Sequence, residues 1–197
     1  GTAPSPPEET DADLSSVDMD FQAADLTEED AVESLIDTVL ETHGRLDYLL
    51  NVAGMWAGGD PIEETALAEF ETVFDVNLKT TFLASKHALP AIQESEGAIV
   101  TVSATASLEG GEGDGPYRAS KAGVRLLTET IAEENAGAVR ANSVMPRVID
   151  TPENREMMPD ADFDQWTDPR DIANTLLALC SDATDVTSGA AIPVDGY

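Results

Sequence analysis

The sequence predicts an α/β fold, a parallel sheet with helices on both faces. Three observations predict it. Short apolar runs bounded by turn residues alternate with longer stretches of helical periodicity. The apolar runs are continuous, which suits strands covered on both sides. A chain of 197 residues, 42% of them hydrophobic, can bury a substantial core as one domain.

The elements follow in order. Residues 1–16 (GTAPSPPEETDADLSS) are rich in proline, serine and acid and lack apolar periodicity, so they read as a flexible lead-in to a single domain over 17–197. A short strand-like segment, 21–24, ends at Asp25. Thr27 and Asp30 make a capping box for a helix with Val32, Leu35, Ile36, Val39 and Leu40 as its buried stripe, closed by Gly44. DYLLNVAG, up to Gly54, reads as a strand buried on both faces.

Residues 67–95 are helical in pattern with a break near Asp75 to Asn77, and AIVTVS, 98–103, is the next strand. The glycine-rich GGEGDGP leads into a helix over 117–135 with Pro116 in its first turn. VRANSVM, 139–145, is a strand, and 152–167 is irregular and acidic. Asp168 and Pro169 open a helix ending near Asp182, and 190–194 form a last strand. Ligands of such a sheet bind at the carboxyl ends of its strands.

The formal net charge is -29, from 39 acids against 10 basic residues. Such a surface repels phosphate backbones and anionic lipid, so direct nucleic-acid or membrane binding is not expected. The acids are spread along the chain, and only Lys79, Lys86 and Lys121 are lysines, a composition similar to cytoplasmic proteins of salt-loving archaea. A high-salt cytoplasm is the expected setting. Cys180 is the only cysteine, which excludes an intramolecular disulfide and suits a reducing compartment, and no Cys/His cluster suggests a metal. No apolar run approaches the roughly 20 residues of a spanning helix.

Four signatures fall at strand ends or on the helices that follow: NVAG at 51–54, Asn77, Ser103, and YRASK at 117–121. With MPRVIDT at 145–151 and SGAAIPVDG at 188–196, their order resembles the short-chain dehydrogenase/reductase family from about residue 18 onward. A Tyr and a Lys four residues apart share one helix face. A nearby ammonium lowers a phenol pKa, so Tyr117 is expected to be a general acid/base that Lys121 activates. The alternative is a half-buried aromatic beside a solvated lysine.

The resemblance implies a three-layer Rossmann-like sheet and a nicotinamide-dependent oxidoreductase acting on a small alcohol or carbonyl substrate. It gives Lys121 a second task, holding the nicotinamide ribose, and gives Asn77 a water that links the lysine to solvent; the plain reading of Asn77 is an amide that satisfies a freed helix carbonyl. The family serine lies thirteen residues before the tyrosine, where Ala104 stands. Ser103 takes the role only if the loop is one residue longer, since neighbouring strand residues face opposite sides. Asp25 matches an aspartate near the adenine. Asn51, Ala53 and Gly54 match the motif that steadies the sheet and admits the cofactor, and Val148 and Thr151 match positions that meet the carboxamide. Arg147 replaces the family glycine and either meets an anion or projects into solvent. Met157, Met158 and Trp166 belong to a substrate lid or to the core. Trp56, near the strand end, is a weaker candidate for the pocket.

The family's opening strand, glycine-rich turn, helix and second strand are not matched. GGEGDG at 110–115 stands in the wrong place to bind a pyrophosphate. The expected chain is therefore an N-terminally truncated member whose cofactor is NAD or NADP, with Gly1 read as a processing or trimming point. The expected edge is the strand at Tyr48, covered by 21–25 sliding across beside it. By resemblance, the helices near 78–95 and 117–135 pair in a homodimer or homotetramer. The competing class is a noncatalytic relative that has lost dinucleotide binding.

Overall fold

The computed structural model describes residues 2–3 and 19–195. Two short strands, β1 (Thr2–Ala3) and β2 (Gln22–Ala23), pair in parallel as a separate ribbon. Helix α1 (Glu29–His43) follows, then strand β3 (Tyr48–Asn51) and helix α2 (Leu67–Phe74). A π-helical segment, Asp75–Lys79, joins α2 to α3 (Thr80–Ser95). Strand β4 (Ala98–Val102), helix α4 (Gly115–Glu134) and strand β5 (Arg140–Pro146) come next. Helices α5 (Pro152–Met157) and α6 (Pro169–Cys180) and strand β6 (Ala191–Val194) complete the order. The main sheet is parallel throughout, β3-β4-β5-β6, so all four strands end on one side.

Strand β4 is the axis of the core, with all five residues buried. Successive side chains point to opposite faces. Ile99 packs with Ile36, Ile92 and Ile131 on one face, whereas Val100 and Val102 pack with Ile172, Leu176 and Leu179 of α6 on the other. Each such side chain contributes roughly 1.5–3 kcal/mol on burial. This double cover makes the carboxyl end of β4 a rigid platform.

Gly97 sets the register of β3 against β4. A Cβ there would lie 1.8 Å from the Asp47 carbonyl oxygen, the same oxygen that accepts a 3.0 Å hydrogen bond from the Ala98 amide. Gly97→Ala is expected to lower stability by roughly 2–4 kcal/mol, read by thermal denaturation, because backbone must move.

Three sequence expectations change. The segment around β2 does not slide beside β3; its two ladder residues pair with Thr2 and Ala3, so part of the expected lead-in is strand. The rest of that lead-in, residues 4–16, lies outside the described residues. The capping box at Thr27 and Asp30 does not form. Asp25 Oδ1 instead accepts from the Thr27 amide at 2.9 Å and its hydroxyl at 2.7 Å, and α1 starts without a side-chain cap. Strand β3 is covered on one face only, and there in part. Leu49 packs against α1 and α3, while Tyr48, Leu50 and Val52 are 47%, 40% and 53% exposed, because no described element covers that side.

The break expected near Asp75 is the π segment. Its widened turn leaves carbonyls that the Thr80 and Thr81 hydroxyls take up, on Val76 O at 2.6 Å and Asn77 O at 2.8 Å. The widening also turns the Asn77 side chain inward, fully buried, toward the end of β3.

Candidate active site

The site is assembled where β3, β4 and β5 end. Helix α4 enters with Pro116 in its first turn, and Tyr117 and Lys121 follow on one face. Lys121 is 5% exposed, and its Nζ donates to the Val102 carbonyl at 3.0 Å. Burial without a carboxylate partner brings its pKa down to about 8.

Gly54 makes room for this ammonium. A Cβ at Gly54 would stand 2.8 Å from Lys121 Nζ and 3.0 Å from Asn77 Oδ1. Asn77 holds the loop in place: its Oδ1 accepts from the Met55 amide at 2.8 Å. Its Nδ2 donates to the Met55 carbonyl and to Ser120 Oγ, both at 3.0 Å. Ser120 in turn donates to the Tyr117 carbonyl at 2.8 Å. One buried amide thus fastens the loop after β3 to the Tyr117 turn of α4. It satisfies the backbone of Met55 rather than a freed helix carbonyl, which the threonine hydroxyls already cover.

Tyr117 is half-buried, and its pKa is raised, first by burial and then by Asp114, with Arg118 opposing. This reverses the direction expected from a neighbouring lysine. The reason is geometric: the Lys121 ammonium is drawn inward to Val102 O, while Asp114 sits one turn from the phenol in an ion pair with Arg118 at 2.5 Å. At neutral pH the phenol keeps its proton.

Ser103 is buried, and its hydroxyl donates to the Lys121 main-chain carbonyl at 2.8 Å. Its proton serves the packing of α4 on β4. Ala104 is also buried, and it begins the turn after the strand. Ser103→Ala is expected to cost about 1 kcal/mol of stability and to change turnover by no more than a few-fold, as one buried hydrogen bond is lost. Denaturant unfolding and initial rates read the two effects separately.

The remaining expected residues make contacts within their own segments or to a neighbouring element. Asn51 Nδ2 donates to Ser85 Oγ at 3.1 Å, joining β3 to α3. Ala53 and Gly54 present exposed backbone beyond β3. Thr151 Oγ1 caps α5 at the Asn154 amide, 3.3 Å away, and Val148 O accepts from the Thr167 amide at 2.8 Å. Asp25, in its turn with Thr27, is an exposed carboxylate held below its usual range by those hydrogen bonds. Met157, Met158 and Trp56 are 57%, 38% and 50% exposed, so none is core. Trp166 meets Phe163 edge-on with centroids 4.7 Å apart.

Sequence reasoning missed Ser120, the Met55 backbone and the purpose of GGEGDG. The Gly59 amide donates to Gly113 O at 2.6 Å, and a Cβ at Gly58 would come equally close to that oxygen. The glycines let two loops touch backbone to backbone just ahead of α4. Paired glycine runs in two separate loops were the available signal.

A family model described as enoyl-(acyl carrier protein) reductase matches residues 7–196. A 3-oxoacyl-(acyl-carrier-protein) reductase of Thermotoga maritima is 30% identical over 188 residues, 90% of this chain and 76% of that protein. The chain belongs to the short-chain dehydrogenase/reductase family.

This short-chain dehydrogenase/reductase is also 32% identical to (+)-borneol dehydrogenase 2 of Salvia officinalis, over 92% of this chain and 72% of the relative. In structure it is similar to the ligand-free aldohexose dehydrogenase of Thermoplasma acidophilum. That match has TM-score 0.84 and 27% identity, and covers 93% of this chain and 79% of the other. The Rossmann-like parallel sheet is shared, and the family is one of oxidoreductases.

A nicotinamide dinucleotide fits this short-chain dehydrogenase/reductase in part. Buried Lys121 and the side-chain-free Gly54 form a cradle at the strand ends that suits the nicotinamide half. The pyrophosphate half is less well served, because 39 acids against 10 basic residues oppose a dianionic ligand. Among the described residues, no group of three or more His, Cys, Asp or Glu side chains is placed to hold a metal. Nor is any helix long and apolar enough to cross a membrane.

Proposed function

We propose that this protein is an NAD(P)-dependent oxidoreductase that interconverts a small alcohol and a carbonyl compound, with Tyr117 as general acid/base. One observation supports this above the others: the Lys121 ammonium, desolvated against Val102 O and facing Gly54, one turn from a half-buried phenol. The nicotinamide supplies or accepts the hydride; the protein handles the proton. In the reductive direction Tyr117 Oη gives its proton to the substrate oxygen as the carbon gains hydride. Lys121 holds the ribose hydroxyls, with Asp25, Asn51, Ala53, Val148 and Thr151 around the cofactor. Asn77 holds the loop beside Lys121 and any water that reaches it. Ser103 supports α4 from beneath.

The raised Tyr117 pKa favours carbonyl reduction at neutral pH, since the acid form is present. Reduction should hold through neutral pH and fall as pH climbs past the raised phenol pKa, whereas alcohol oxidation should rise over the same range. An earlier inflection near pH 8 should mark loss of the Lys121 charge.

Exposed Phe82 on α3 and Leu126 on α4, 48% and 53% open, support pairing of two copies through these helices. The charge of -29 supports a high-salt cytoplasm. Potassium chloride should raise the unfolding midpoint, and greatest stability in dilute buffer would oppose that setting. For the activity itself, calorimetric titration with NAD and NADP in high potassium chloride is paired with initial rates on small ketones and secondary alcohols. Binding with turnover supports the reading. Binding of neither cofactor by this chain favours the noncatalytic alternative.

A further inference from the structure

In a chain this acidic, an arginine without a partner needs a reason. Of the ten cationic side chains, six form ion pairs with acids. Arg140 donates to the carbonyls of Leu179, Cys180 and Thr184, and Lys121 donates to that of Val102. Among the described residues, only Arg147 and Arg170 make neither kind of contact. Arg170 lies in the first turn of α6. Arg147 lines a cavity of about 190 Å³ with Val148, Asp162, Gln165 and Trp166.

The cavity stands at the working end of the sheet. Arg147 directly follows Pro146, the last residue of β5. Val144 accepts from the Ser103 amide at 2.8 Å, and Pro146 O accepts from the Thr105 hydroxyl at 3.4 Å, so β5 ends beside the platform under α4.

The acid in the cavity wall spends its hydrogen bonds on its own loop and not on the guanidinium. Asp162 turns Oδ1 to the Asp164 amide at 3.3 Å and Oδ2 to Gln165 Nε2 at 2.8 Å, and makes no ion pair with Arg147. Trp166, half-buried and braced by Phe163, gives the same space an apolar wall, and Val148 gives another. A cation at one side and carbon surface at the other match a small apolar skeleton that ends in a carboxylate. A guanidinium binds a carboxylate through two parallel hydrogen bonds.

We propose that Arg147, Val148 and Trp166 form a substrate subsite for a carboxylate on a small hydrocarbon frame, which makes the favoured substrate a hydroxy acid or oxo acid. This deepens the oxidoreductase reading and rests on it for the location of the reacting carbon. Binding at the subsite, however, needs no turnover.

The test compares two ligands that cannot be oxidised at a hydroxyl, cyclohexanecarboxylate and its neutral amide cyclohexanecarboxamide. Ligand-observed NMR on the whole chain at moderate potassium chloride gives both affinities, for the unmodified protein and for Arg147→Gly and Arg147→Lys. The carboxylate should bind about tenfold more tightly than the amide, a preference lost in Arg147→Gly and kept in part by Arg147→Lys. No preference in the unmodified protein, or an unchanged preference in Arg147→Gly, overturns the proposal.

A parallel titration with nicotinamide mononucleotide separates the other source of an anion. If Arg147→Gly weakens the mononucleotide and leaves the carboxylate preference intact, the guanidinium serves a cofactor phosphate and the proposal falls. A chain that binds the carboxylate through Arg147 but transfers no hydride would defeat the oxidoreductase reading alone.

Discussion

Tyr117→Phe is expected to lower turnover by about a thousandfold while leaving cofactor affinity within a few-fold, because only the proton donor is removed. The phenol ring is half-buried, and its hydroxyl makes no hydrogen bond among the described residues, so the ring packing carries over to phenylalanine and the fold should be unchanged. Steady-state rates with calorimetric cofactor binding separate the two effects. A variant retaining a tenth of the activity would remove Tyr117 from the acid/base role.

Asn77→Ala is expected to cost about 3 kcal/mol of stability, since it leaves buried backbone and hydroxyl groups without their partner. The lost bonds are those to the Met55 amide, the Met55 carbonyl and Ser120 Oγ. The same loss frees the loop that carries Gly54 against Lys121, so turnover should fall with stability. Asn77→Asp distinguishes placement from simple packing. Its carboxylate beside the ammonium favours the charged lysine, and the inflection near pH 8 should move upward. An unmoved inflection would show that Asn77 does not act through Lys121.

The alternation of apolar runs and helical stretches made the layer order legible, because both periods are properties of the chain itself. The break at Asp75 was legible too, although its π geometry was not; it depends on hydroxyls of Thr80 and Thr81 reaching back one turn. Two features depended on partners far away in sequence. The pairing of β2 with Thr2 and Ala3, and the one-sided exposure of Tyr48, Leu50 and Val52, follow from which element lies alongside, and no local pattern states that.

The candidate site shows the same division. Tyr117 and Lys121 were visible as a pair because four residues make one helical turn. Their electrostatics were not visible, since the direction of the Tyr117 shift depends on where Lys121 Nζ points and on Asp114, four residues before Arg118 and ion-paired with it. Ser103 and Ala104 could not be told apart by counting. Ser103 donates its hydroxyl to the Lys121 carbonyl, a contact made with a residue eighteen positions away that counting along the chain does not show. The glycines at 58–59 and 110–115 carried their meaning only once the two loops met.

The most direct measurement of the central claim is deuteride transfer. A small ketone is incubated with the protein and NADH or NADPH deuterated at the transferring carbon, and the alcohol is examined by mass spectrometry. Deuterium is expected on the carbinol carbon with the unmodified protein and almost none with Tyr117→Phe. Equal transfer by both proteins, or none by the unmodified chain after saturating cofactor binding, would contradict it.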